Sequence, residues 1–434
     1  MLKNRIFANA SWIILCKLGQ SVCSFIVTML TARCLGPSNY GLITYAASLV
    51  TFIVPIAQLG LDSIQVQELV EFEDEEGKII GTTLFLSFLS SIACFIGIVT
   101  FTSAVNANEK DTIIVCTLYS ILLFFQGSSL MQYWFQARYL SKYSSMANLF
   151  AYFLICGYKV YLLLTGKSIY WFALSNALDY MISFVLLSLL YKKLGGKPLS
   201  ISYNVAKRMF SKSKYYILVN IMVVIFGQTD RIMLKLMIDD ATTGLYSAAI
   251  TCSNLFSFVF YALIDSARPM IFEAHKISKE KFEKSITALY SGIIYLSLAV
   301  VLGIIIFAPL VIYIIYGSAY KEAITPLRIV IWYIPFSFIG SIRNIWILAE
   351  GHQKWLTPVN AGGALLNVVL NFLLIPLWEA SGAAFASLMT QFFTNVVISY
   401  MVSDIRRSMV LLIKGINPKY ICIIIKKMLR RERI

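Results

Sequence analysis

The 434-residue chain is 59% hydrophobic and only 14% charged, with a mean hydropathy of +0.75, which excludes an ordinary soluble domain. Its net charge of +15 does not call for nucleic acid as a partner. The basic residues gather between apolar runs, as the positive-inside rule requires of a membrane protein.

In chain order, runs long enough for a bilayer, which takes about 20 apolar residues, fall near 10–32, 41–61, 79–101, 112–136, 145–166 and 169–190. A second set falls near 215–238, 244–265, 286–316, 324–349, 356–378 and 381–401. The first run is long, carries Lys17 and lacks a small-residue cleavage site, so it reads as a retained span and not as a signal peptide. The ninth is long and contains Pro309, where a kink or early exit is expected. The acidic stretch 68–76 reads as a solvated loop. The fold class expected is an all-α polytopic membrane protein, with about 12 transmembrane helices in two six-helix bundles around a central cavity. Residues 1–192 form the first bundle, 193–214 a basic cytoplasmic linker, 215–403 the second bundle and 404–434 a basic interfacial tail. Within that tail, Tyr420–Ile425 followed by Lys426 and Lys427 reads as a membrane-surface anchor. Linker and tail both suit anionic membrane lipids.

Twelve spans put both termini on one side. With that side cytoplasmic, the inside segments hold 27 of the 37 Lys and Arg residues, and the outside loops hold four: Arg33, Lys110, Lys167 and Lys321. The eight cysteines are scattered without a Cys-x-x-Cys pair, and the two histidines, His275 and His352, lie far apart. No disulfide framework, metal centre or cofactor is expected.

The stretch from Arg33 to Ser63 has a relative 203 residues later. Gly41-Leu42 becomes Gly244-Leu245, and Asp62-Ser63 becomes Asp265-Ser266. Between them Thr44, Ser48, Thr51 and Gln58 correspond to Ser247, Thr251, Asn254 and Tyr261. Steps of three and four put each set on one helical face. Paired spans with a polar stripe in two halves suggest a duplicated transporter. Asp62 and Asp265, at the span ends, read as caps or loop-orienting groups.

A charge at the bilayer centre costs about 2.5–3.5 kcal/mol on insertion scales, so it usually faces a partner or a polar cavity. Lys17 continues a stripe with Ser21, Ser24 and Thr28. Lys159 lies with Asn148 and Tyr152, and Asp179 with Asn176 and Ser183. The seventh span offers Asn220, Asp230, Arg231 and Lys235, the tenth Arg328 and Arg343, and the eleventh Asn360, Asn367 and Asn371. Lys17, Lys159, Arg231, Lys235, Arg328 and Arg343 are the candidate cavity cations; Asp179, Asp230, Asn220 and Asn367 are polar cavity residues suited to coupling. A cavity lined in this way is net positive and attracts phosphates and sugar acids. Snorkelling to an interface is the plainer alternative for Lys235, Arg328 and Arg343, and a local pair is the alternative for Asp230 with Arg231.

At Arg33-Cys-Leu-Gly-Pro-Ser-Asn-Tyr-Gly41, with Ala46-Ala47-Ser48, Leu59-Gly60-Leu61, Asp230-Arg231-Ile-Met-Leu and Gly244-Leu-Tyr-Ser-Ala-Ala249, the chain resembles the polysaccharide-exporting flippases. These include the Wzx-like O-antigen flippases of the multidrug/oligosaccharidyl-lipid/polysaccharide exporter superfamily. The resemblance implies two six-helix bundles, V-shaped around a cationic cavity, with no catalytic residues. It implies movement of an undecaprenyl-pyrophosphate-linked oligosaccharide, as in lipopolysaccharide assembly, to the periplasmic leaflet of the inner membrane by alternating access. A polysaccharide polymerase and a chain-length regulator are the implied protein partners. The related lipid II flippases typically add two spans and carry adjacent Arg and Asp in a basic first span, features not found here. A drug/cation antiporter of the same superfamily needs an acidic lobe. A membrane polysaccharide polymerase or glycosyltransferase needs a large outer loop or an acidic catalytic pair, and the expected outer loops reach only about ten residues.

Overall fold

A computed structural model of the chain describes residues 2–418 and 420, with side chains at Cys16 and from Gly19 onward. Ten helices among the described residues are long and apolar enough to cross a membrane. We label the helical runs α1 (Leu2–Ala57), α2 (Glu76–Val105), α3 (Lys110–Ala137), α4 (Ser141–Leu164) and α5 (Ile169–Lys193). There follow α6 (Tyr203–Met237), α7 (Asp240–Ile277), α8 (Lys279–Ile315), α9 (Ser318–Ala349) and α10 (Gln353–Met401), and then a short α11 (Arg406–Gly415).

Ten runs make twelve spans because two of them are broken. In α1 the backbone leaves helical geometry at Gly36 (φ 77°, ψ 171°), directly before Pro37, which cannot donate the next helical bond. In α10 it does so at Glu379 (φ 48°, ψ −126°), three residues after Pro376. The protein is an all-α, multi-pass membrane protein. Not every proline breaks its helix: α8 runs through Pro309 to Ile315, so the kink or exit expected there is not seen.

The chain divides into two compact units, Met1–Gln228 and Thr229–Ile434, with the division inside α6. In the first unit, α1 packs along α4 and α3, and α5 packs along α4. In the second, α7 and α10 pack on the helical part of α9 near Ile324–Val330, and α8 packs on α11. The helix α11 turns Ser408, Met409, Leu411, Leu412 and Gly415 inward while Arg407 pairs with Glu283 at 2.7 Å. The rest of the expected tail anchor, from Ile421, lies outside the described residues.

The acidic stretch is only in part the solvated loop expected: Glu71, Glu73 and Asp74 are exposed. Glu68 and Glu76, however, are 1% and 2% exposed, and both are spent on ion pairs. Glu68 takes Arg208 at 3.0 Å and Lys212 at 2.6 Å; Arg208 also reaches Glu75 at 2.8 Å. Glu76 takes Arg138 at 2.6 Å and the backbone N–H of Lys197 at 3.1 Å. The carboxylate of Glu76 holds the Arg138 guanidinium above its ordinary value. The basic segment 193–214 thus packs within the first unit, and its approach needs small residues opposite. A Cβ at Gly77 would lie 2.2 Å from the Pro198 carbonyl oxygen, and one at Gly81 would lie 2.4 Å from that of Ser200. Gly60 ends the second span in the left-handed region (φ 65°), with its Cβ position 2.6 Å from the Ser213 carbonyl. Both facts call for glycine.

Candidate functional site

Two pockets lie in the first unit. One, of about 240 Å³, is lined among others by Gln20, Ser128, Gln132, Asn148, Asp179 and Tyr180. The other, of about 430 Å³, is lined by Thr51, Val54, Pro55, Gln58, Gln126 and Asn220, together with Asp62. Ser129 and Tyr180 line both, so the two adjoin. Gln58 donates to Gln126 at 3.2 Å. Asn220 reaches the Asp62 carboxylate at 3.4 Å, which makes Asp62 a pocket wall and not a mere span-end cap. α3 tightens to a 3-10 helix at Ile121–Phe125 just before Gln126, a mid-helix irregularity of the kind that often marks a functional hinge or local strain. Lys159, on α4, donates to Asn176 Oδ1 at 3.1 Å, with Asp179 one turn further along α5. The expected stripes of α4 and α5 therefore meet. The side chain of Lys17 lies outside the described residues.

In the second unit the structure gathers Asp230 and Asn367 into one buried cluster. Asp230 is 3% exposed. Its Oδ1 accepts from Asn371 at 2.6 Å and from Asn367 at 3.2 Å, and its Oδ2 accepts from the hydroxyls of Tyr246 and Ser387. Four donors from α7 and both parts of α10 thus converge on one carboxylate. The amide oxygens of Asn367 and Asn371 are buried without a hydrogen-bond partner. A carboxylate beside two free carbonyl oxygens is a hard-ligand set, suited to a proton or a small hard cation. No group of three His, Cys, Asp or Glu suited to a metal occurs among the described residues.

The remaining candidates are placed apart. Arg231 donates to Ser247 Oγ at 3.1 Å, while Asp230 spends its oxygens elsewhere; they do not form the local pair considered from their adjacency. Lys235 is 6% exposed and bridges to Asp240 at 2.8 Å across the break between α6 and α7, instead of snorkelling. Arg328 is exposed and donates to the Ile305 carbonyl at 3.1 Å. Arg343 is 1% exposed and does not snorkel either. It donates to the Thr394 carbonyl at 3.1 Å, to Ser399 at 2.8 Å and to Asn344 at 2.9 Å. Thr394 lies in the π-helical turn Phe393–Ile398 and Ser399 directly follows it, where the widened ladder leaves a carbonyl to satisfy. Asp265 is not at a span end: α7 continues to Ile277, and Asp265 is an exposed partner of Arg268 at 3.4 Å.

Sequence reasoning missed Tyr246 and Ser387. Tyr246 sits inside the Gly244-Leu-Tyr-Ser repeat signature, but nothing local tells that its hydroxyl meets Asp230, 16 residues earlier. Ser387, 157 residues from Asp230, left no signal beyond being a small polar residue in the twelfth span.

No curated protein matches the chain. Among solved structures it is similar to an inward-facing multidrug resistance MATE family transporter of the MOP superfamily, with a TM-score of 0.70 at 12% identity, covering 91% of this chain and 96% of that one. It is equally similar to the lipid II flippase MurJ in an inward closed conformation, with a TM-score of 0.70 at 12% identity over 96% and 98% of the chains. At such identities the likeness establishes a common fold. The family described as polysaccharide biosynthesis protein matches residues 6–275, well over half of the sequence. The chain belongs to the polysaccharide biosynthesis protein family.

Proposed function

We propose that the protein is a transporter that moves an undecaprenyl-pyrophosphate-linked oligosaccharide, an O-antigen or related repeat unit, from the cytoplasmic to the periplasmic leaflet of a bacterial inner membrane by alternating access. The observation that carries this reading is family membership over residues 6–275 in a chain with the fold of membrane transporters and a lipid-linked-substrate flippase. Lys17 and Lys159 in the first unit and Arg231 in the second are candidate phosphate-binding cations. Arg231 differs from the two lysines in that a guanidinium can grip a phosphate with two parallel bonds. The Asp230 cluster is the site for the coupling ion. A polymerase and a chain-length regulator belong downstream of this step.

The experiment is deletion of the gene in its host, followed by complementation. Surface glycan should disappear and the lipid-linked oligosaccharide accumulate on the inner leaflet. Arg231→Ala should fail to restore export at normal membrane levels, while Arg231→Lys should restore part of it. An unchanged lipid-linked pool in the deletion strain would sink the reading.

One observation favours a second reading, a drug/cation antiporter: the charged residues lining the two first-unit pockets are carboxylates, Asp62 and Asp179. That reading requires the deletion strain to keep its surface glycan and to become sensitive to cationic dyes.

A further inference from the structure

The second unit holds a pocket of about 480 Å³ that the cationic and acidic residues above do not touch. It is lined by Asn254, Ser257, Phe258 and Tyr261 of α7 and by Tyr333, Ser337 and Phe338 of α9. Both helices leave regular α geometry at this place. In α7, Leu255 and Phe256 bond three residues back, to Cys252 and Ser253. In α9, Trp332 bonds back to Ile329 and Ile334 to Ile331 in the same tight fashion. Interrupted membrane helices commonly frame transporter binding sites, because irregular backbone is tolerated only where it lines a cavity.

The pocket is also the counterpart of one already described. The second span contributes Thr51, Val54, Pro55 and Gln58 to the 430 Å³ pocket of the first unit. Shifted by 203 residues, these are Asn254, Ser257, Phe258 and Tyr261, the four residues α7 contributes here. In both units a further part of the wall comes from a helix that resumes after a break, Gln126 and Ser129 in α3 and Tyr333 with Ser337 and Phe338 in α9; the first pocket also takes Tyr180, Asn220, Val223 and Val224. The two pockets thus stand in one register of the 203-residue repeat, with different linings. The first has a carboxylate and amides. In the second, Pro55 and Gln58 are replaced by rings at Phe258 and Tyr261, and the counterpart of Asp62, Asp265, is turned away to Arg268.

We infer that this second-unit pocket binds an uncharged sugar ring of the translocated substrate. A pyranose has one face of C–H groups and an edge of hydroxyls. The C–H hydrogens are weakly positive and settle on the negative face of an aromatic ring. The hydroxyls need donors and acceptors of the kind Asn254, Ser257 and Ser337 supply. Tyr261 is 55% exposed, and Phe338 holds it edge-on with centroids 5.1 Å apart, so the Tyr261 ring is both accessible and oriented. A phosphate finds no cation among the lining residues, a cationic drug finds no carboxylate, and an alkyl chain would bury the Asn254 amide against hydrocarbon. An uncharged polyhydroxylated ring fits all three constraints.

The inference rests on the flippase reading, and its test separates the two. The probe is the free oligosaccharide released by mild acid from the lipid-linked pool of the deletion strain, without lipid or phosphate. Its binding to the purified full chain in nanodiscs is measured by calorimetry at low and high salt. Wild type should bind with little salt dependence. Tyr261→Ala should weaken binding about tenfold, the equivalent of roughly 1.4 kcal/mol, Tyr261→Phe should bind nearly as wild type, and Asn254→Ala should weaken it several-fold. Equal affinity in wild type, Tyr261→Ala and Asn254→Ala overturns the sugar subsite. So does absence of binding by wild type when the deletion strain accumulates the intermediate, and the flippase reading then stands without it. A deletion strain with no accumulated intermediate overturns both.

Discussion

Asp230 and Arg343 are both buried ionisable residues, yet their surroundings assign them different tasks. Arg343 spends its guanidinium on Thr394, Ser399 and Asn344, stitching α9 to the π-turn of α10. Arg343→Ala should therefore lower the amount of folded protein in the membrane, since each orphaned buried acceptor costs about 1–3 kcal/mol. Arg343→Lys should rescue little, because one ammonium cannot span three acceptors. Normal membrane levels with a selective loss of transport would instead make Arg343 a substrate contact. Asp230 is surrounded by donors, while two amide oxygens beside it lack any. A bound cation would complete the set. Thermal stability of the purified protein should accordingly rise with the coupling ion, tested as sodium and potassium, and Asp230→Asn should abolish that rise. A wild-type protein indifferent to both would remove the cation from this cluster. The types of both residues were legible in the sequence as costly charges in apolar spans. Their partners were not, because the contacts to Thr394 and Asn367 bridge 51 and 137 residues, and helical periodicity reports faces, not neighbours.

At the scale of elements, the acidic stretch 68–76 and the basic segment 193–214 are one structure. Read separately, each had a sufficient local explanation, a solvated loop and a topology signal, so composition alone did not join them. The joining feature is steric: Gly77 and Gly81 leave room for residues 197–200 to lie against α2, with Ser200 N–H on the Gly77 carbonyl at 3.2 Å and Ser202 N–H on Thr82 Oγ1 at 3.0 Å. The consequence is that the segment is strapped down and poorly available to protease. Endoproteinase Lys-N, which cuts on the amino side of lysine, applied to inside-out vesicles should leave the bond before Lys197 uncut in wild type; trypsin would not serve, because Pro198 follows Lys197. Gly77→Val, whose side chain would collide with the Pro198 backbone, should expose it, and Glu76→Gln should do so partially by weakening the Arg138 and Lys197 contacts. Equal cleavage in wild type and Gly77→Val would contradict the packing.

For the whole molecule, the spans were legible because hydropathy is summed over about 20 residues and tolerates local error. The 203-residue register relates two helix starts: α1 resumes at Pro37 after the break at Gly36, and α7 begins at Asp240. The halves part company further on: the second span ends at Gly60, whereas α7 continues to Ile277, and nothing in the polar stripe announces that difference. The 27-to-4 distribution of basic residues predicts the sidedness of the spans, and ion pairing groups the loops independently. Arg138 with Glu76, Lys197 with Asp74 and Arg208 with Glu75 tie the loops after the second, fourth and sixth spans to one end of the first unit. At the other end, Tyr45 meets Asn106, and Tyr170 donates to Asp111 at 2.6 Å, joining the loops after the third and fifth spans. The first group carries the basic excess, and the positive-inside rule predicts that it is the cytoplasmic end. Reporter fusions at Lys193 and Lys427 should then score as cytoplasmic and a fusion at Glu109 as periplasmic. Because the loops are bound to one another in two sets, the outcomes must change together. A periplasmic signal at Lys193 with a cytoplasmic one at Glu109 would invert the protein and reverse the direction of transport proposed. Signals on the same side at both positions would break the ion-paired grouping itself and with it the twelve-span order.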